Sequence, residues 1–158
     1  MKRFWRGLLA GGIATVPMSL VMQMLHCWPV REREPLPPQQ ITQALAEETA
    51  ARLGRGERPG KSQLQVLALA NHFGFGSGMG GFYALFGPRI PAPAVLKGTI
   101  WGLMVWGLSF LGWLPAAQIL PPATQQSKRR NLLLIAGHLV WGVSTVLVLE
   151  RLAPEEAA

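Results

Sequence analysis

The sequence predicts an all-α fold: a polytopic membrane four-helix bundle with glycine-rich helix contacts and one long polar loop bearing a short interfacial helix. Three observations carry that expectation. Uncharged apolar runs recur at residues 7–27, 68–86, 98–120 and 132–149, each near the roughly 20 residues needed to cross a hydrocarbon core. Charged residues are 15% of the 158 and apolar residues 49%, against about 25% charged in an ordinary soluble domain. Glycines recur four apart inside the runs, the spacing with which membrane helices approach backbone to backbone. The whole chain, 1–158, reads as a single integral membrane domain, with residues 28–65 as its polar loop.

The first run follows Lys2, Arg3 and Arg6. A secretory signal has an apolar stretch of about 7–15 residues and a small-residue cleavage site. This run is longer and ends Met24-Leu25-His26-Cys27-Trp28-Pro29, so it reads as a retained span. Gly7/Gly11 and Ala10/Ala14 give it a small-residue face. Pro17 removes an internal hydrogen bond and is expected to bend it, with Thr15 placed to satisfy freed carbonyls. In the loop, Arg31-Glu32-Arg33-Glu34 precedes Pro35-Leu36-Pro37-Pro38, which is expected to be extended or turning. A helix is expected over residues 41–53, with Ile41, Leu45 and Leu53 on one side and Glu48/Arg52 as an i,i+4 pair. Its apolar stripe is thin, which places it at the interface or over the bundle mouth. Gly54, Gly56, Pro59 and Gly60 end it.

The second run is the one around which the others are arranged. Gly74/Gly78 and Gly76/Gly80 are two small-xxx-small pairs, and His72, Gly76 and Gly80 share one face at i, i+4 and i+8. Gly87-Pro88 closes it, and a short connection with Pro91 and Pro93 returns the chain alongside. The third run carries Gly98/Gly102, with Trp101, Trp106 and Trp113. Pro115 is expected to kink or unwind its last turns, and Pro121-Pro122 stop it. A polar turn with Lys128-Arg129-Arg130 leads to the fourth run, in which Gly142 joins the packing set.

Charge narrows the partners. The formal net charge is +7, and the basic residues sit at the ends of apolar runs, which suits a lipid bilayer with anionic headgroups. No basic stripe is interleaved with aromatics, so no nucleic acid is expected. Nine basic residues lie in the first and third loops and six elsewhere, while Lys2, Arg3 and Arg6 precede the first span, so orientation stays open. Cys27 has no second cysteine for an intrachain disulfide. The chain has no Asp, and its Glu residues lie only in the first loop and near the C-terminus. No Ser/His/acid set, phosphate-cradling Gly-Lys motif or metalloprotease helix is present, so an enzyme is not expected.

The histidines are the candidate site. The second and fourth runs point the same way, and His72 and His138 lie four and six residues inside, roughly 6 to 9 Å below one surface at 1.5 Å per residue. His72-Phe73-Gly74-Phe75-Gly76 and His138-Leu139-Val140-Trp141-Gly142 share His, apolar, any residue, aromatic, Gly. The first run ends on that side with Met18, Met22, Met24, His26 and Cys27. Intramembrane ionisable residues usually mark function. His26, His72, His138, Met22 and Cys27 therefore form a candidate metal set for Cu or Zn, or the two matched histidines a haem pair. Against this, a histidine facing glycine can donate to a carbonyl or hydroxyl on the next helix, with Asn71, Ser77 and Ser144 in reach. No HxxxH or CxxC pair occurs and no span holds a carboxylate, so the structural role is favoured and no cofactor is required.

Several of these stretches together resemble a known family. Glu34-Pro35-Leu36-Pro37-Pro38 after the first span, then His72, Gly76 and Tyr83 in the second, are similar to the YagU-like family of uncharacterised bacterial inner-membrane proteins. So are Gly98, Gly102, Val105-Trp106, Pro115 and Pro121-Pro122 in the third, and Gly137-His138-Leu139-Val140-Trp141-Gly142 in the fourth. The resemblance implies a multi-pass protein of the bacterial inner (cell) membrane, from a family without an assigned activity. Two function classes follow. One is a non-enzymatic membrane scaffold or accessory subunit, packing against a second copy or a partner membrane subunit. The alternative is a small oligomeric conduit or carrier that uses the histidine leaflet as a metal or proton site.

Overall fold

The computed structural model describes residues 2–27, 35–53 and 60–152. The expected charged run at 31–34, the stop at 54–59 and the side chains of Arg52 and Leu53 lie outside the described residues. Among those described there are helices and no strand: α1 (Lys2–Cys27), α2 (Pro37–Leu53), α3 (Lys61–Phe86), α4 (Ala94–Gly107), a π-helical segment (Leu108–Trp113), α5 (Leu114–Ala116) and α6 (Lys128–Leu152), with 3₁₀ turns at Gly87–Arg89 and Ala123–Gln125. α1 packs on α3 and on α6, α4 packs on α6, and α2 lies on α3.

Among the described residues three stretches are long and apolar enough to cross a membrane: Lys2–Cys27, Ala94–Ala116 and Lys128–Leu152. α3 is not one of them, although its 26 residues span about 39 Å at 1.5 Å per residue. Measured against the expectation of four apolar spans, α3 falls short in hydropathy and not in length. Glycine, Ser77, Asn71 and His72 occupy positions where the other helices carry Leu, Ile or Val, and glycine adds length with almost no hydropathy. The outer face of α1 is a stripe of exposed large apolar residues, Trp5, Leu9, Ile13, Val16, Leu20 and Met24. α3, α4 and the π-helical segment expose Val66, Leu69, Phe82, Leu85, Ile100 and Leu108 in the same way. The opposite face of α1, from Gly7 through Ala10, Gly11, Ala14, Thr15 and Met18 to Met22, is buried at helical spacing.

Several local expectations change. Pro17 lies inside a helix that continues to Cys27. Thr15 Oγ1 donates to Gly11 O (2.8 Å) and Ser19 Oγ to Thr15 O (2.7 Å), neither reaching the Ile13 carbonyl whose partner Pro17 removes. α2 begins at Pro37, four residues earlier than expected. The first turn of a helix has no N–H bonds to lose, so two prolines start it instead of preventing it. Pro115 can neither bond the Leu111 carbonyl nor avoid crowding it, and the chain answers with a π-helical turn in which Gly112 takes the non-helical φ −108°, ψ −106°. The helix then closes on Gln118, the one described non-glycine residue with positive φ (58°), through Gln118 N–H to Pro115 O and Ile119 N–H to Leu114 O, both 3.0 Å.

Two kinds of contact join the helices. Between α1 and α3 the backbones touch: a Cβ on Gly80 would lie 2.5 Å from Gly7 O and 2.6 Å from Gly11 Cα. Between α4 and α6 a Cβ on Gly98 would lie 2.5 Å from Val143 Cα, and one on Gly142 2.8 Å from Gly102 Cα. Only a residue without Cβ fits such positions. Gly74 and Gly78 face open space instead, with nothing within 4 Å of an added Cβ. Side chains fill the gap between α3 and α4: Phe82, Tyr83 and Phe86 surround Trp101 at ring-centroid distances of 6.2, 5.4 and 5.4 Å. Nearer the histidines, Phe75 meets Trp113 at 6.4 Å.

Candidate functional site

The half of the molecule towards the C-terminal end of α1 holds a cavity of about 260 Å³. Its position follows from the two packing modes. Glycine seams draw α3 to α1 and α4 to α6, while bulky aromatics hold α3 and α4 apart, and the space left is the cavity. α1 lines it with Thr15, Met18 and Met22, α3 with Asn71, His72, Phe75 and Gly76, and α6 with Leu134, His138 and Trp141. The π-helical segment contributes Ser109, Phe110 and Trp113. π-helical turns of this kind recur at functional sites because they re-aim side chains within a continuous helix. Most of the wall is apolar.

α2 closes one side. Pro37, Pro38, Ile41 and Leu45 face the cavity, and two sets of polar contacts fix the helix there. Asn71 Nδ2 donates to Thr42 Oγ1 at 3.1 Å. Arg130, buried at the start of α6, donates through Nη1 and Nη2 to Pro35 O (3.2 and 3.1 Å), through Nη2 to Gln40 Oε1 (2.7 Å) and through Nε to Gln126 Oε1 (3.1 Å). One guanidinium thus ties the entry of α2 to the entry of α6, using the fork geometry unique to arginine. Sequence reasoning took Arg130 as part of a solvated basic turn, since nothing in Lys128-Arg129-Arg130 distinguishes its third member. A second cavity of about 310 Å³ shares His72, Met22 and Pro38 with the first, so His72 stands between the two, beneath the start of α2.

His72 and His138 border the same cavity, as their matched depth on parallel helices leads one to expect. His138 Nδ1 lies 2.8 Å from Leu134 O. A carbonyl only accepts, so Nδ1 carries the proton and the neutral ring keeps its lone pair on Nε2. Phe110 packs edge-to-face on the same ring, centroids 5.8 Å apart. His72 Nδ1 lies 3.5 Å from Ser19 Oγ, beyond the usual hydrogen-bond range, and the hydroxyl hydrogen of Ser19 goes to Thr15 O. Met22 and Met18 line the cavity beside the rings. The remaining candidates lie elsewhere. His26 is buried in the last turn of α1 and is absent from the lining, while Cys27 is exposed and accepts from Gln23 Nε2 at 3.4 Å. Of the five candidate ligands the cavity lining thus holds His72, His138 and Met22, and His26 and Cys27 lie outside it. Four residues past Met22 the helix has climbed about 6 Å and left the cavity behind. Among the described residues no three of His, Cys, Asp or Glu gather as a metal site. At about 260 Å³ the space lies just below the roughly 300–1,000 Å³ of drug-sized pockets.

Of the predicted packing glycines, Gly76 sits at the junction of three helices. A Cβ there would collide with Thr15 Oγ1 on α1 and come within 3.3 Å of Trp141 Nε1 on α6. Trp141 Nε1 in turn donates to Gly11 O at 3.2 Å, sharing that carbonyl with Thr15. This buried junction forms the end wall of the cavity.

The class these features define is an all-helical protein with three helices long and apolar enough to span a membrane and a mostly apolar cavity bordered by two imidazoles. The chain belongs to the family described as protein of unknown function (DUF1440), whose model matches residues 26–147, from the last turn of α1 through most of α6. No curated protein and no solved structure matches it.

Proposed function

We propose that the chain is a multi-pass protein of the bacterial inner membrane, of the YagU-like kind, whose α1, α3, α4–α5 and α6 form a four-helix membrane bundle held by glycine seams. The exposed apolar stripes support this, since a water-soluble monomer rarely exposes contiguous apolar patches beyond a few hundred Å². α3 crosses the bilayer because His72 and the bare backbone at Gly76 and Gly80 face α1 and the cavity and Asn71 is bonded to Thr42 of α2, while Gly74 and Gly78 lie on its outer face. α2 lies at the interface and covers the cavity.

Within that frame the protein acts as a non-enzymatic accessory subunit that binds a small, mostly apolar molecule carrying a hydrogen-bond donor. The observation that carries this is the cavity itself: about 260 Å³, largely apolar, bordered by two imidazoles, of which His138 has its Nδ1 proton committed to Leu134 O. What a neutral imidazole has left is an acceptor, so a hydroxyl or amide N–H on the ligand is the matching group. The lid, and the second cavity beyond His72, supply a way in from the membrane surface.

Thermal unfolding of the protein in nanodiscs tests this with 1-naphthol and naphthalene, equal in shape and differing in one donor. A ligand at 100 times its Kd stabilises by about 2.7 kcal/mol. 1-Naphthol is expected to raise the melting temperature more than naphthalene does. Ser109→Leu, which fills the cavity, abolishes both shifts, and His138→Leu removes the difference between them. No shift with either compound, or shifts unchanged in Ser109→Leu, contradicts the proposal.

A further inference from the structure

The apolar cavity has a polar neighbour. The second cavity, about 310 Å³, meets the first at Met22, Pro38 and His72, and beyond them the walls change character. Ser19 and Gln23 on α1, Gln39 on α2 and Gln65 on α3 line it, where the first cavity has Phe110 and Trp113. Gln65 stands two turns nearer the start of α3 than His72, and Gly76 at the end wall lies one turn further in. The two cavities together therefore run about 16 Å along α3 at 1.5 Å per residue. Among the described residues that line either cavity there is no Lys, Arg, Asp or Glu, in a chain with fifteen basic residues. An ion seated there gives up water and finds no opposite charge in exchange. The side-chain amides instead offer N–H donors and carbonyl acceptors together. The hydroxyl hydrogen of Ser19 already goes to Thr15 O, so its oxygen is a further acceptor.

We propose that one molecule fills both cavities: an uncharged lipid with a single short chain and a hydroxyl-bearing head, such as a monoacylglycerol. This rests on the reading of the first cavity as the seat of a mostly apolar ligand, and extends it. The chain occupies the first cavity, and the head continues past His72 to the amides of Gln39 and Gln65. Glycerol hydroxyls both donate and accept, as those amides do, whereas an ionised carboxylate only accepts and brings a charge that no lining residue balances. α2 fits the same arrangement. Pro38 in its first turn borders both cavities, and Asn71 and Arg130 hold the helix over their junction.

Native mass spectrometry of the full chain, released from detergent micelles, tests this with two probes of one chain length. They are monooctanoylglycerol and octanoate, at about pH 8, where the acid is ionised. Monooctanoylglycerol is expected to saturate at one molecule per protein, and octanoate to bind at least about tenfold more weakly. Gln65→Lys, at an exposed position, sets an ammonium in the outer cavity. It is expected to bring octanoate to within about threefold of the glyceride, a gain that misfolding does not produce. Ser109→Leu fills the inner cavity and abolishes retention of both. Equal retention of the two probes by the native chain, a preference that Gln65→Lys does not move, or retention untouched by Ser109→Leu overturns the proposal. A melting shift with 1-naphthol but no retained glyceride overturns it and leaves the reading of the first cavity standing. Neither signal overturns both.

Discussion

The α1–α3 contact and the α3–α4 contact use opposite means of bringing helices together. Along α1–α3, Gly7, Gly11, Gly76 and Gly80 let two backbones meet with no side chain between them. Between α3 and α4, Phe82, Tyr83 and Phe86 reach across to Trp101, Phe75 meets Trp113 of the π-helical segment, and the backbones stay apart. In lipid no hydrophobic force separates a helix from its surroundings, so close packing and hydrogen bonds carry the association. The glycine contact is rigid and admits nothing. The aromatic contact is large-grained, and large side chains at unequal depths leave a hole, which the histidines border. Architecture and candidate site are thus two results of how glycines and aromatics are divided between the faces of α3.

Breaking the close contact should have the largest effect. Gly80→Ala places a methyl against Gly7 O and Gly11 Cα, both backbone atoms that cannot swing aside. A loss of about 3 kcal/mol or more is expected, at the top of the range for overpacking, read as unfolding in mixed micelles or as failure to accumulate in the membrane. Next is the clamp on the lid. Arg130→Met removes the donors to Pro35, Gln40 and Gln126 and should cost about 2–4 kcal/mol, with amide exchange in α2 rising while α1 and α6 stay protected. Trp141→Phe deletes the bond to Gly11 O but leaves Thr15 on that carbonyl, so about 1 kcal/mol is expected. The smallest effect sharpens the comparison from the other side. Gly78→Ala meets open space and should be neutral or stabilise by up to about 1 kcal/mol, the helix propensity gained. Equal losses from Gly80→Ala and Gly78→Ala would show that glycine content, and not the face it lies on, matters to this helix.

How much of this was legible in the sequence depends on whether a feature is periodic. Gly76/Gly80 and Gly98/Gly102 follow from four-residue spacing, and the close approaches fall there. Gly74/Gly78 has identical spacing, and only the rotation of α3 against α1, set by contacts far along the chain, decides which pair meets a neighbour. The shared depth of His72 and His138 was legible from their positions in parallel helices. His26 and Cys27 were placed with them because the first run ends on the same side, but the cavity lies a full turn deeper. The thin apolar stripe of α2 places it at the interface or over the bundle mouth, and it lines the cavity; its start at Pro37 departs from the extended or turning conformation that the sequence suggests for 35–38. Arg130 left no signal at all. Its partners, Pro35 and Gln40, lie about 90 residues away in the chain, and a buried arginine among basic neighbours looks like any solvated one.

The central claim is that α3 crosses the bilayer despite falling outside the set of helices apolar enough to do so by composition alone. Single cysteines at Ser62 and Ile90, in a Cys27→Ser background, flank α3 on its two ends, and a membrane-impermeant maleimide applied to spheroplasts and to inverted vesicles reports the side of each. The account predicts that one site labels only from outside and the other only from inside. Labelling of both from the same side would mean that the glycine helix returns without crossing, and the four-helix membrane bundle would be wrong.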